Sequence, residues 1–203
     1  MLARPRRYVR TIGSTAADPW ENGSSYYRWR ATLEHFYSQL PAEASWNPIN
    51  LFSRRNRYQL DLLISIHGWY HQTHCLLHRF VMSGPLEQIS QARWIQAPIG
   101  WRESVMTTCF EHAISLSELF LRTRSQFPDW TCSTVTAGNL IYASVRHQFH
   151  YWMSLGVRPL DAVGPDEHLV RAAPQIIELL QDLANRFLSV RRLVSAIRES
   201  ARG

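Results

Sequence analysis

Four histidines, His67, His71, His74 and His78, recur at steps of four, three and four residues within HGWYHQTHCLLHRF. On an α-helix, which advances about 100° per residue, those steps hold all four imidazoles within an arc of roughly 60°. Such a stripe has three physical readings: a metal-ligand set, a polar lining inside a pocket, or a packed seam between helices.

The surrounding pattern is helical along most of the chain. Ser24 or Ser25 is placed to cap a helix through YYRWRATLEHFYSQL, with Tyr26, Trp29, Leu33, Phe36 and Leu40 near one face and Pro41 as its stop. Residues 42–52 read as a connection pinned to the core by Trp46. A longer helix is predicted over 58–82, closed by Ser83-Gly84-Pro85. Its wheel has an apolar arc of Leu63, Ile66, Tyr70, Thr73, Leu77 and Phe80, and a polar arc of Asp61, Ser65, Gln72 and Arg79. The histidine stripe falls at the border of the apolar arc.

Residues 88–100 hold a short helical turn closed by Pro98 and Gly100. The period of Val105, Cys109, His112, Ala113, Leu116, Leu119 and Phe120 predicts a helix over 101–127, ended by Pro128. Asp129 or Thr131 then caps a helix running to Gly156. A final helix is expected over 166–200, kinked or restarted at Pro174. No alternating, strand-like run appears. The expected fold is therefore all-α: an irregular bundle of about five to seven helices in a single domain over 20–203, after a basic lead-in over 1–19.

Composition narrows the classes. The chain is 45% hydrophobic, with eight each of Trp, Tyr and Phe among 203 residues, enough to bury a sizeable core. No apolar run approaches the roughly 20 residues that span a bilayer, so no membrane role is expected. The net charge of +6 is carried by arginine, in groups such as Arg4, Arg6, Arg7 and Arg10 or Arg54, Arg55 and Arg57. No aromatic-interleaved nucleic-acid motif accompanies them, which favours a scattered basic surface. Cys75, Cys109 and Cys132 are widely spaced within apolar patterns, as buried free thiols are, and no Cys-x-x-Cys is present to build a zinc finger or cluster. The basic start weakly suggests a mitochondrial presequence, but Pro5 and Gly13 interrupt the helix that such a signal needs.

Chemical motifs are sparse. A metal on the stripe would need ligands from another element, and Glu111-His112 is the one acid-histidine pair nearby; His-Glu-x-x-His is absent. There is no nucleophile elbow and no phosphate-binding glycine loop. Cys75 with His71 or His78 on a single helix lacks the third group that orients a catalytic base. Trp69, Tyr70, Trp94, Trp101, Trp130, Tyr142, Tyr151 and Trp152 read as core before they read as a pocket. The residues thus assign no catalytic, cofactor or metal site and no enzyme activity. The alternative is a helical metal- or ligand-binding protein that uses His67, His71, His74 and His78.

Three blocks, WRATLEHFYSQLP over 29–41, IHGWYHQTHCLLHRF over 66–80 and TTCFEHAISLSELF over 107–120, together resemble the fungal-specific transcription factor domain. That domain is the middle homology region of fungal zinc-cluster transcription regulators. The resemblance covers about residues 20–155 and rests on Leu40-Pro41, Tyr70-His71, Leu77-His78-Arg79, and Cys109 with Ala113. Phe80-Val81 departs from the family's usual proline after Arg79. The resemblance implies a nuclear, all-helical regulatory domain that controls RNA polymerase II transcription through protein partners, homo- or heterodimers among them, and a small-molecule effector. Tyr70, His71, Leu77, His78, Arg79 and Cys109 would be its structural motif, which leaves His67 and His74 as the ligand-facing candidates. Zinc is expected only in the six-cysteine DNA-binding cluster of full-length relatives, which this sequence lacks, so DNA would be reached indirectly.

Overall fold

The structure, a computed structural model, describes residues 17–55, 57–83 and 89–130, together with positions 181, 184, 185 and 191. The lead-in to residue 16, Cys132, Tyr142, Tyr151 and Trp152, and the expected helix up to Gly156 lie outside the described residues. Of the expected final helix, only Gln181, Ala184, Asn185 and Arg191 are described, and all four are helical. Among the described residues up to 130, five helices follow in order: α1 (Ser25–Ser38), α2 (Pro48–Ser53), α3 (Arg57–Phe80), α4 (Gln91–Gln96) and α5 (Ile99–Gln126), with a 3-10 turn at Ala42–Ala44. The fold is all-α, and no strand occurs among the described residues. The chain divides into two compact units, Met1–Leu40 with Thr73–Cys109, and Pro41–Gln72 with Phe110–Gly203.

The first unit holds α1, the end of α3, α4 and the start of α5. A turn leads into α1, with Glu21 and Ser24 amides donating to the carbonyls of Asp18 and Glu21 and with Gly23 at φ +80°, where a side chain would be strained. Ser24 occupies the cap position, but its hydroxyl donates back to the Pro19 carbonyl at 3.0 Å instead of capping the helix. Tyr26 is buried with Leu77, Val81, Met82, Ile89, Trp94 and Val105, and Leu33, Trp101 and Met106 pack against them. The buried line of α1 therefore runs through Tyr26 and Leu33. Trp29 and Phe36, expected on the core face, are 44% and 55% exposed, because they stand about 60° to one side of Tyr26 and Leu33 on the wheel.

Ser90 caps α4 by accepting the Arg93 amide proton, and Arg93 donates from Nε and Nη2 to Asp18 Oδ1 at 2.9 and 2.7 Å, fastening the entry turn. Pro98 and Gly100 do not close this region as the sequence suggests. Helix α5 begins at Ile99, since a proline just ahead of a helix loses no hydrogen bond, and Gly100 falls in its first turn.

The second unit holds the connection after α1, α2, the start of α3 and the rest of α5. The segment 42–52 is more ordered than a plain connection. Asn47 caps α2 by accepting the Asn50 amide at 2.8 Å, Pro48 fits the first helical position, and Asn50 Nδ2 donates to the carbonyls of Ala42 and Ser45. Leu51, Leu60, Leu63, Ile64, Ala113, Leu116, Leu119 and Phe120 are buried. Ser117 and Thr123, buried among the apolar positions of α5, donate to the carbonyls four residues earlier, which removes the cost of burying a hydroxyl. Trp130 stacks on Phe120 and donates its indole N–H to Asp61 at 3.0 Å.

Along α3 the histidine stripe lies at the centre of the buried face, not at its border. Leu60, Ile64, His67, His74, His78 and Val81 are each at most 2% exposed, and with the half-buried His71 they follow steps of four and three throughout. That is the spacing of a helix-packing seam. Tyr58, Leu62 and Trp69, on the opposite face, are more than half exposed.

Candidate functional site

In the first unit His74 and His78 stack with ring centroids 6.0 Å apart. His78 Nδ1 lies 2.9 Å from the Tyr26 hydroxyl. Burial lowers the His78 pKa to about 3, assisted by the neighbouring His74 and Arg30, so its ring is neutral. Burial also raises the Tyr26 pKa, which keeps its proton in place. The phenol must then donate and Nδ1 accept, which sets the His78 proton on Nε2. His74 is likewise held neutral, its pKa lowered to about 4 by burial, with Glu34 and Arg30 acting in opposite directions.

Cys75 and Cys109 meet beside this pair. Each thiol points at the other's backbone carbonyl, at 3.5 and 3.7 Å, and both are free and buried. The contact with Cys109 and burial raise the Cys75 pKa well above the ordinary range, so the thiol is protonated and inert despite the opposing charge of Arg79. Leu77 belongs to the core, and Arg79 is half-buried on the last turn of α3.

In the second unit His67 Nε2 donates to the Ala44 carbonyl at 2.8 Å, and its ring packs against Trp46 at 5.5 Å. Trp46 thus pins the connection as the sequence suggests, and it does so on a histidine. Burial lowers the His67 pKa, and the Ala44 bond works against that shift. His71 and His112 face each other with their Nδ1 atoms 3.0 Å apart. The rings are tilted by 51°, and Tyr70 stands edge-on to both. One Nδ1 carries a proton and the other accepts it.

Of the sequence-derived candidates, the structure brings Leu77, His78 and Cys109 into the first unit's interior and Tyr70 with His71 against His112 in the second. His67 and His74 were the ligand-facing candidates. Both are 1% exposed, and His67 is occupied with Ala44, so neither ring opens to solvent. The sequence reading missed the long-range partners: Tyr26 for His78, Ala44 for His67 and His112 for His71. A signal for the last was present in the small residues Cys109 and Ala113 flanking His112, which permit close approach of another chain segment.

No family model, no curated protein and no solved structure matches this chain. No helix among the described residues is long and apolar enough to cross a membrane.

Proposed function

We propose that this chain is the helical regulatory domain of a fungal zinc-cluster-type transcription regulator, acting in the nucleus on RNA polymerase II transcription. It works through protein contacts, with a small-molecule effector as a further input and no catalysis of its own. The observation that carries the reading is the use made of the residues behind the resemblance. Leu77 lies in the buried cluster against which Leu33 of the first block packs, while Cys109 of the third meets Cys75 of the second. In the other unit Tyr70 and His71 of the second block meet His112 of the third. Residues from all three blocks thus serve in the packing of helices, as a fold-defining motif requires. With three cysteines the sequence has no binuclear zinc cluster, so DNA is reached through another domain or a dimer partner.

The test is a fusion of the chain to an unrelated DNA-binding domain, assayed on a matching reporter in fungal cells. A change in reporter output relative to the DNA-binding domain alone is the expected result, up for an activator and down for a repressor. Unchanged output from a fusion present in the nucleus at equal level would remove the proposal.

A further inference from the structure

The pairing of His71 with His112 has a second chemical use. Two ligand nitrogens each about 2.0–2.1 Å from one ion lie about 2.9 Å apart when they subtend a right angle, and about 3.3 Å apart at the tetrahedral angle. The observed Nδ1 separation of 3.0 Å falls between these values. Both residues are half-buried. Both are also held in orientation by the edge of Tyr70, with ring centroids 5.2 Å away for His71 and 5.7 Å for His112. The rings are tilted by 51° and do not stack.

We infer that His71 and His112 form a two-imidazole clip for a borderline divalent transition-metal ion of the zinc, nickel or copper kind, with water in the remaining positions. Imidazole nitrogen selects such ions over magnesium and calcium, which prefer oxygen. Binding requires both Nδ1 atoms bare, whereas the metal-free pair carries one proton between them. The donor ring therefore breaks its Nδ1–H bond and gains Nε2–H through solvent. The exchange changes the tautomer of one ring and releases no net proton. The inference stands apart from the transcriptional reading, since it requires only the two facing rings.

Isothermal titration of the tag-free chain with zinc chloride tests it, with magnesium chloride as the control titrant. The expected result is one zinc per chain at this site, at least tenfold weaker in His71→Ala and in His112→Ala, unchanged in His35→Ala on exposed α1 surface, and no magnesium binding. Absence of zinc binding, or binding that persists unaltered in both variants, would overturn the clip. If circular dichroism shows either variant unfolded, imidazole nitrogen NMR of the unaltered chain decides. The Nδ1 signals of His71 and His112 shifting together on zinc addition support the site, and unmoved signals refute it.

Discussion

At His67 a titratable ring serves as a core side chain. Its Nε2–H is spent on the Ala44 carbonyl, Trp46 covers one side, and 1% of the residue remains exposed. Truncation to alanine would leave a cavity and deprive Ala44 of that donor, costs that together come to about 2–4 kcal/mol. His67→Ala is therefore expected to lower the melting temperature by roughly 5–12 °C for a chain of this size. Thermal melting followed by circular dichroism measures this, and an unchanged midpoint would mean that the ring faces solvent. The sequence marked His67 as ligand-facing because it lies outside the Tyr70-His71 and Leu77-His78-Arg79 motifs. Motif membership carries no information about depth; the spacing of four and three, which runs unbroken through Leu60, Ile64, His67, His71, His74, His78 and Val81, does.

For whole elements, the sequence encoded where helices run better than which face they bury. Pro41 stops α1, and the serine at its cap position and the periodic apolar residues locate α1, α3 and α5 to within about two residues. The face of α3 was harder to assign, because an apolar arc of Leu63, Ile66, Tyr70 and Leu77 and an exposed set of Tyr58, Leu62 and Trp69 are both apolar. Histidine supplied the missing discrimination only once its burial was seen. Adjacent leucines test the assignment: Leu62 is 58% exposed and Leu63 is 2% exposed. Leu62→Glu should change stability by no more than about 0.5 kcal/mol. Leu63→Glu should cost several kcal/mol, because it buries a charge with no partner. Urea titrations of the two variants compare them directly, and equal losses would show that α3 is rotated from the face described.

At the scale of the molecule, the all-α class was legible because periodicity and helix stops are local. The pairings were not, because Tyr26 with His78, His71 with His112 and Asp61 with Trp130 join residues 52, 41 and 69 positions apart, and a periodic pattern names no partner. Burial of His74 and His78 makes the chain sensitive to acid. In the unfolded chain each histidine titrates near its ordinary value of 6.5, while in the folded state burial holds His74 at about 4 and His78 at about 3. As pH falls below 6.5 the unfolded chain gains protons that the folded chain refuses, so the stability present above that pH is lost progressively down toward the folded values. Between pH 7 and pH 5 these two rings alone remove about 4 kcal/mol, with buried His67 acting in the same direction. Urea denaturation at the two pH values reads this loss in the extrapolated unfolding free energy. His78→Gln keeps an acceptor for the Tyr26 hydroxyl but cannot titrate, and it should reduce the two-ring loss by roughly half. Stability that is flat or rising from pH 7 to pH 5, or a loss equally steep in the His78→Gln chain, would place these rings in contact with water instead of in the seam.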